Sequence, residues 1–594
     1  MATSSYWDRF TANRVSRRRA LQMAALTGAA AGAIAVVGCG GDDDDGGNGN
    51  GTATTGTPST GEEGTPKPGG TLRGTVSLVL GKDPMKAATF LTHALASYSY
   101  SRLMRFETQL GELPQDRWYN AVPELATVEN PDPTTYIFTI KDEANWQNLP
   151  PVNGRPVTGE DVVYSFNRYR EISPNKANLA MVQSVEATGE KQVTFTLSEP
   201  FGLFLNRIAS FQDLWIMPRE FIEQSETASE DSMLGSGAFI FDKFEPNVVM
   251  SWKKNPDYWE KDAAGVQLPY LDGVNLDIIT DTNQVLSQFA AGQLDTISVP
   301  PQLLSSAQSQ NPDAIFDGSP RNILSFLFFE PASYTAGKPP FNDVRVRRAM
   351  SMALDRDGLL SRVSSEGGLW PNVPINAGFG ESWWLDPQGP DIGEAGKWYE
   401  FNQTEARALL SAAGLADGFD TSMYYSATVY TTVVPYYDIV RQSLPALLQE
   451  IGLNINEVGE EYGVYISKTF GRGEFEGFTF GLESVFSDVA AYWTNMFYPR
   501  DAGGGRNHSS VADATLNDRI KAMLQLQDLD EIRNESFELQ KYVSDQMYYV
   551  PVVTPVEFAA RQNYLKGVVN DTGPTTYAVG TEAALTNWLD KPAT

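Results

Sequence analysis

Residues 153–165 read NGRPVTGEDVVYS and combine a tight turn with the start of a helix. Asn-Gly is a strong turn pair because both residues tolerate the left-handed backbone region. Thr158 and Asp161 have the spacing of a capping box, in which two residues exchange side-chain to backbone hydrogen bonds. We therefore predict a helix from Thr158 through Arg170, with these residues on its core face: Val162, Val163, Phe166 and Tyr169.

The stretches around this helix predict a mixed α/β fold without internal repeats. Residues 136–140 (YIFTI) and 193–197 (VTFTL) alternate apolar and polar side chains, as half-buried strands do. Helical patterns follow further along the chain, and glycines end three of them. We predict these helices at residues 282–290, 343–354, 403–413 and 435–451, and the terminating glycines are Gly292, Gly414 and Gly452.

The composition of the chain indicates a large, acidic globular protein. Its 594 residues are 42% hydrophobic and 11% aromatic, which is enough to build two or three domains with proper cores. Its formal net charge is -29, so nucleic acid and anionic membrane surfaces repel it electrostatically. We therefore expect no nucleic acid partner.

The N-terminal segment predicts export and anchoring. Arg17 and Arg18 precede an apolar, Ala- and Gly-rich run over residues 20–38, which ends at Cys39, the single cysteine of the chain. This pattern resembles a twin-arginine export signal joined to a bacterial lipoprotein processing site. The resemblance implies a signal peptide over residues 1–38 and a lipidated Cys39 as the mature N-terminus. An uncleaved transmembrane anchor is the alternative, because the apolar run nearly reaches spanning length.

The segment after the signal predicts a disordered tether over residues 39–68. It consists mostly of Gly, Thr, Asp, Asn, Pro and Glu, which cannot bury enough apolar surface to offset the entropy of ordering. With either interpretation of the N-terminus, the folded part lies outside the cytoplasm, in the periplasmic space or on the outer cell surface, attached to the cell membrane. Since Cys39 would carry the lipid, we expect no internal disulfide.

The sequence offers little material for catalysis or metal binding. Its two histidines, His93 and His508, lie far apart, and no His-Glu-x-x-His run occurs. The sequence Gly-Ser-Gly at residues 235–237 lacks the glycine spacing of a nucleophile elbow and is typical of a tight turn. We therefore predict that the protein is not an enzyme and carries neither a metal nor a cofactor.

Six short motifs follow one another in an order that resembles a known family. They are residues 123–126 (PELA), 136–140 (YIFTI), 153–165 (NGRPVTGEDVVYS), 235–239 (GSGAF), 255–259 (NPDYW) and 343–349 (DVRVRRA). The chain resembles the family 5 extracellular solute-binding proteins, the oligopeptide-, dipeptide- and nickel-binding group of bacterial ABC importers. The resemblance runs from about Gly69 to the C-terminus. It implies a periplasmic-binding-protein fold of the α/β class, in which two crossing strands join two lobes and the first lobe carries an extra subdomain.

By this resemblance, residues 69–320 and 554–594 form lobe I, with the extra subdomain at about 116–230, and residues 321–553 form lobe II. The family implies that the lobes close around a peptide-like or other small organic solute and deliver it to an ABC permease and its ATPase. We expect a monomer that performs no bond chemistry. Two other functions remain open, an extracellular hydrolase and a binding protein that senses or chaperones without transport.

The candidate ligand site is the strand-like stretch 478–488 (FTFGLESVFSD), which leads into a predicted helix. In peptide-binding members of the family, a strand end of this kind presents an aspartate to the α-amino group of the ligand. Val485 occupies that place here, so the resemblance favours a solute without a free α-amino group, such as a saccharide or a capped peptide. A buried amine would otherwise need Glu483 or Asp488 as its counter-charge, and Asp488 is also a candidate N-cap of the helix.

Aromatic side chains complete the candidate site. Trp383 and Trp384 lie in a Gly- and Pro-rich stretch, where tryptophans either pack in the core or stack on a ligand face. The full set of candidate ligand-binding residues is Glu483, Ser484, Val485, Phe486, Asp488, Tyr492, Trp493, Trp383 and Trp384.

Overall fold

The structure is a computed structural model that describes residues 64–87, 89–107, 121–320, 324–363, 375, 383–428, 434, 436–483, 486, 488–500, 504–554, 556–569 and 581–591. The predicted signal peptide, Cys39 and most of the predicted tether lie outside these residues. Lys67, near the end of the predicted tether, pairs with Asp590 at 2.5 Å. Contacts with the folded body therefore begin before Gly69.

The described strands are short and are numbered along the chain. They are β1 Thr71–Val76, β2 Met104–Phe106, β3 Ala121–Pro123, β4 Ala126–Asp132, β5 Thr135–Ile140, β6 Val182–Ala187, β7 Gln192–Leu197, β8 Phe239–Glu245, β9 Val249–Lys254, β10 Gly273–Ile278, β11 Thr296–Val299, β12 Ile315–Pro320, β13 Leu324–Phe329, β14 Phe419–Ser426, β15 Leu453–Glu460, β16 Phe478–Glu483, β17 Val550–Pro551, β18 Val556–Arg561, β19 Leu565–Lys566 and β20 Trp588–Leu589.

The described α-helices alternate with these strands. They are α1 Phe90–Ala96, α2 Gly159–Ile172, α3 Phe204–Ala209, α4 Arg219–Ile222, α5 Ala228–Asp231, α6 Thr282–Ala290, α7 Leu304–Gln310, α8 Ala332–Thr335, α9 Val344–Met352, α10 Arg356–Val363, α11 Gln403–Ala412, α12 Tyr437–Gln449, α13 Tyr462–Val464, α14 Val489–Phe497, α15 Ala514–Gln525, α16 Leu529–Gln546 and α17 Thr581–Ala584. Within the described residues, none of the helices combines the length and the apolar character needed to span a bilayer.

The strands form four larger sheets and two strand pairs. Two four-stranded sheets have the orders β1-β10-β9-β8 and β4-β5-β7-β6. The five-stranded sheet β15-β14-β16-β13-β17 is called the central sheet below, and the three-stranded sheet β11-β18-β12 is called the bridge sheet. In the central sheet, β14 pairs in parallel with β15 and β16, while β13 pairs antiparallel with β16. β16 therefore lies inside the sheet, with neighbours on both sides.

The chain passes between the bridge sheet and the central sheet twice. β12 ends at Pro320 and β13 begins at Leu324, and later β17 ends at Pro551 and β18 begins at Val556. Every strand of the central sheet comes from residues 324–551, and no other described sheet takes a strand from that range. Two short connections thus join two sheet systems. One is the central sheet, built from residues 324–551, and the other comprises the remaining described sheets, built from the chain before and after that range.

The predicted helix after Thr158 is confirmed as α2. The backbone N–H of Thr158 donates to Oδ2 of Asp161 at 2.9 Å, as a capping box requires. Arg155 donates to both oxygens of the same carboxylate, at 2.8 and 2.7 Å. Of the predicted core face, Val162, Phe166 and Tyr169 are buried, but Val163 is only half-buried. The carboxylate of Asp161 therefore holds both Arg155, which follows the Asn-Gly turn, and the start of α2, so these residues have a structural role.

The predicted strands at residues 136–140 and 193–197 are confirmed as β5 and β7, which pair antiparallel. The four helical patterns correspond to α6, α9, α11 and α12. Gly414 and Gly452 follow α11 and α12 with φ values of 82° and 99°. Only glycine adopts this backbone region without strain, so these two positions end their helices as predicted.

Most buried apolar side chains form one continuous core, but the bridge sheet has its own small cluster. That cluster consists of Val285, Leu286, Phe289, Leu294, Ile297, Val299, Ala307 and Ala560. Its members come from the bridge sheet, from α6 and α7, and from the segment between α6 and β11. The bridge sheet is therefore packed separately from the main core.

Candidate functional site

The candidate site begins where β16 ends. All residues of β16 are buried, and the strand finishes at Glu483. Helix α14 starts at Val489, so only five residues connect the strand to the helix. Of these, Phe486 and Asp488 are described, while Ser484, Val485 and Ser487 lie outside the described residues. The placement of Val485 as the counterpart of an amine-binding aspartate stays a prediction.

Glu483 is held by the side chains of Arg506 and His508. Its carboxylate accepts a hydrogen bond from Nη1 of Arg506 and lies 2.6 Å from Nε2 of His508. Burial alone would raise the pKa of Glu483, but the positive charge of Arg506 and the hydrogen bond with His508 outweigh it, so this pKa lies below its ordinary value. The carboxylate is therefore ionised, and it already has Arg506 and His508 as partners.

His508 is enclosed by aromatic rings and by two hydrogen-bond acceptors. Its ring stacks on Phe470 with centroids 3.7 Å apart, and the edge of Phe328 approaches to 5.2 Å. Nδ1 lies 2.7 Å from the carbonyl oxygen of Phe470, while Nε2 faces Glu483. Each ring nitrogen of His508 therefore lies within hydrogen-bond distance of an oxygen acceptor.

Arg506 is the accessible member of this group. A quarter of its side chain is exposed, compared with 4% for Glu483. Its guanidinium lies over the ring of Phe486, 5.3 Å from the centroid. Phe486 in turn meets the ring of Tyr492 edge-on at 5.5 Å. The predicted residues Glu483, Phe486 and Tyr492 are thus brought together, with Arg506 as their link to the surface.

Asp488 lies at the start of α14 and is fully buried. Its side chain accepts a hydrogen bond from the backbone N–H of Ala491 at 2.7 Å, which confirms its predicted capping role. It also forms an ion pair with Arg207 of α3, with Nε and Oδ2 3.3 Å apart. Arg207 comes from the chain before the first connection between the two sheet systems, and Asp488 comes from the chain after it. The ion pair therefore bridges them.

A second buried carboxylate lies near Arg207. Asp213 accepts hydrogen bonds from Asn178 at 2.9 Å and from the hydroxyl of Tyr169 at 3.1 Å. Burial raises the pKa of Asp213, although the charge of Arg207 opposes this rise. The guanidinium of Arg207 thus interacts electrostatically with two buried carboxylates, those of Asp488 and Asp213.

The predicted tryptophans are part of the core in this conformation. Trp493 is buried and donates from Nε1 to the hydroxyl of Ser536 at 3.1 Å. Trp383 is also buried and lies 5.0 Å from the guanidinium of Arg533. Trp384 is 3% exposed. None of the three presents a ring face to solvent here, so their predicted contact with a ligand stays untested.

Three basic residues of the site, Arg207, Arg506 and His508, were not among the predicted residues. Arg506 and His508 meet Glu483 from 23 and 25 residues further along the chain, and Arg207 reaches Asp488 from a different sheet system. No local sequence pattern marks these positions, since each is a single basic residue outside any motif. Only the tertiary fold brings them to the carboxylates.

Two other features of the described residues bear on chemistry. No cluster of three or more histidine, cysteine, aspartate or glutamate side chains suited to a metal is found among them. A cavity of about 620 Å³ lies away from β16, between the start of α10 and residues 387–401. It is lined by Asp355, Asp357, Glu394, Glu400 and Lys397 among others, and it contains none of the predicted ligand-binding residues.

Residues 120–504 match the profile of the family described as bacterial extracellular solute-binding proteins, family 5 Middle. A probable ABC transporter-binding protein of Deinococcus radiodurans is 26% identical over 407 residues, which cover 61% of this chain and 66% of that protein. Di/tripeptide-binding protein 3 of Pseudomonas aeruginosa is 22% identical over 517 residues, which cover 83% and 90%.

The solved structures that resemble this fold include the periplasmic binding protein DppA of Helicobacter pylori in complex with the peptide STSA. Its TM-score is 0.70 at 20% identity, and the match covers 88% of this chain and 99% of that one. The fold is therefore that of a periplasmic binding protein of the α/β class. Since the family profile covers more than half of the sequence, the chain belongs to the bacterial extracellular solute-binding proteins of family 5.

Proposed function

We propose that this protein is the extracytoplasmic binding component of an ABC importer, which captures a peptide-like or other small organic solute between two lobes and delivers it to a permease. The observation that carries this proposal is the position of β16. Its end lies where the two sheet systems meet, and the charged and aromatic side chains of Glu483, Arg506 and Phe486 converge there. Clefts between domains, with a few placed polar groups, are typical solute sites.

The proposed lobes follow the two sheet systems. Lobe I comprises residues 69–320 and 554–594, with an extra subdomain at about 116–230, and lobe II comprises residues 321–553. Contacts between them support a closed arrangement. Besides the Arg207–Asp488 pair, the backbone N–H of Gly202 donates to the carbonyl of Leu524 at 3.1 Å, and Gln525 donates to Glu199 at 2.9 Å. A solute that contacts both lobes would favour this closed state by its differential affinity.

The proposed location rests on the N-terminal sequence. Cleavage before Cys39 and lipidation of its thiol would tether the protein to the cell membrane, with the folded body in the periplasmic space or on the outer surface. A monomer suffices for this function, because the site is formed within one chain. No bond chemistry is part of the proposal, and the solute leaves the protein unchanged.

The test is recovery and rebinding of the native solute. The mature protein is purified without denaturation, and the bound small molecule is released, identified by mass spectrometry and added back to the emptied protein. We expect a higher melting temperature and a more compact scattering profile on rebinding. An emptied protein that rebinds nothing, or a solute whose mass changes on incubation with the protein, would contradict the proposed function.

A further inference from the structure

Gly202, which lies two residues before α3, contacts the C-terminal end of α15, although the two belong to different proposed lobes. The backbone N–H of Gly202 donates to the carbonyl oxygen of Leu524 at 3.1 Å. Leu524 is one of the last four residues of α15, where carbonyl groups have no partner within the helix. The N–H of Gly202 therefore satisfies a helix-end carbonyl that comes from the other proposed lobe.

The absence of a side chain at residue 202 permits this approach. A Cβ atom placed there would lie 1.9 Å from the carbonyl oxygen of Leu526 and 2.9 Å from Cδ1 of Ile532. The φ angle of Gly202 lies outside the left-handed region, so the local backbone does not itself require glycine. The requirement comes from lobe II, and a larger residue would fit only if the lobes stayed further apart.

The backbone on each side of this contact is held in place. Phe201 and Leu203, which flank the glycine, are both buried. On the other side, the N–H of Leu526 donates to the carbonyl of Met523 at 3.2 Å, and Asp528 caps α16 by accepting two backbone hydrogen bonds at 2.9 and 3.0 Å. A local shift of either segment would break these interactions, so an added Cβ atom would act on the distance between the lobes.

The contact is also of a kind that can form and break. Gly202 and Leu524 are only half-buried, and the adjacent hydrogen bond from Gln525 to Glu199 is exposed. Neutral hydrogen bonds that water can replace contribute little net stability. Separation of these two segments therefore costs little, which suits a contact that is made on closure and lost on opening.

We propose that Gly202 is a closure contact, through which lobe I docks on the end of α15 each time the protein closes around its solute. This inference rests on the proposed solute-binding function and adds the residue whose missing side chain sets how near the lobes approach. Gly202 acts through the approach of the lobes and not by touching the solute, so it is a positioning residue.

The test compares Gly202→Ala with Gly189→Ala in the full-length mature protein. Gly189 is the matched control, because it lies in the same proposed subdomain, its φ angle is also outside the left-handed region, and an added Cβ atom would come no closer than 3.4 Å to another residue. The probe is the small molecule released from purified wild type, and a set of di- to pentapeptides replaces it if none is recovered. The measurements are the melting temperature without probe, the affinity for the probe, and the radius of gyration with and without it.

We expect Gly202→Ala to melt like wild type without the probe, because its methyl group meets nothing in an open protein. It should bind the probe at least about tenfold more weakly, since overpacking at the contact opposes closure. The probe should also reduce its radius of gyration less than that of wild type. Gly189→Ala should match wild type in all three measurements.

A pair of cysteines reports closure without the steric clash. Glu199→Cys and Gln525→Cys place two thiols where the native side chains form a hydrogen bond at 2.9 Å, and Cys39→Ser removes the single native cysteine. A short bismaleimide should link the two thiols faster in the presence of the probe than in its absence.

Equal binding and equal compaction of Gly202→Ala and wild type would overturn the inference and leave the solute-binding function intact. So would a lower melting temperature of Gly202→Ala without the probe, or cross-linking that does not depend on the probe, because a contact that persists in the empty protein is not a closure contact. Binding by wild type without compaction would overturn it as well. If wild type binds none of the probes, the inference fails together with the function on which it rests.

Discussion

Nε of Arg207 lies 3.3 Å from Oδ2 of Asp488, and the two side chains are 2% and 0% exposed. An ion pair without solvent contact gains from attraction only if both partners stay in place, because either charge alone is costly in a low-dielectric surrounding. Asp488 has a second role as the cap of α14. The pair therefore couples the start of α14 to α3, which comes from the chain before the first connection between the two sheet systems.

Replacing Arg207 with alanine should weaken the closed arrangement. Loss of one partner from a buried pair typically costs about 3–5 kcal/mol, and opening of the lobes would reduce this cost by hydrating Asp488. We expect a larger radius of gyration in solution scattering and weaker solute binding. Arg219→Ala is the control, since its pair with Glu223 is 65% and 51% exposed and should matter by less than about 0.5 kcal/mol. Unchanged scattering and binding in Arg207→Ala would refute the coupling.

His93 should make the protein sensitive to mild acid. Trp215 Nε1 donates to Nδ1 at 3.0 Å, and Nε2 lies 2.9 Å from the carbonyl oxygen of Ala87, which fixes a neutral ring. Burial lowers the pKa of His93 to about 4 from the ordinary value of 6.5. Above pH 6.5 neither the folded nor the unfolded state is protonated at this residue, so its contribution is complete. As pH falls from 6.5 to 4, only the unfolded state takes up the proton, and up to about 3 kcal/mol of stability is lost.

The measurement for His93 is the free energy of unfolding in denaturant between pH 7 and pH 4.5. His93→Gln should lack this part of the pH dependence, because an amide does not titrate. Comparison with wild type cancels the contributions of other groups, such as Glu124, whose pKa burial raises to about 7. If the free energy of unfolding changes equally with pH in wild type and His93→Gln, His93 does not control the response to acid.

Val485→Asp should change the class of solute that binds. If Val485 occupies the place of the amine-binding aspartate, the new carboxylate supplies a counter-charge for free-amine peptides, and their affinity should rise. Val485→Asn is the matched control with a similar shape and no charge. Calorimetry with di- to pentapeptides and their N-acetylated forms shows how Val485→Asp and Val485→Asn differ in their affinity for a free α-amino group. Tight binding of free-amine peptides by wild type, lost on N-acetylation, would show that Val485 was aligned incorrectly.

Cys39→Ser should abolish membrane anchoring, because no thiol remains to accept a lipid. We expect the variant to stay uncleaved or to appear in the soluble fraction, and incorporation of labelled palmitate should disappear. A replacement at Ser59, also in the predicted tether, should leave anchoring unchanged. Wild-type protein without lipid, fractionating like Cys39→Ser, would rule out the lipoprotein assignment.

Local sequence signals predicted the helices and strands, whereas the contacts between residues distant in the chain became visible only in the structure. The capping pair Thr158 and Asp161 located α2, because the hydrogen bonds involved lie within one turn. The cap at Asp488 was predictable for the same reason. The partners of Glu483 and Asp488 were not, since Arg506, His508 and Arg207 approach through tertiary packing. A strand pattern identifies a candidate carboxylate but not the basic side chains that contact it in the folded protein.

The central position of β18 in the bridge sheet has a consequence for biosynthesis. β11 and β12 both pair with β18 rather than with each other, and β18 is synthesised only after the whole of the central sheet, which is complete at Pro551. A nascent chain that stops before Val556 therefore contains every strand of the central sheet but lacks β18, the strand with which β11 and β12 pair. The bridge sheet can therefore form only after the central sheet has been synthesised, and a truncation before Val556 would remove its middle strand.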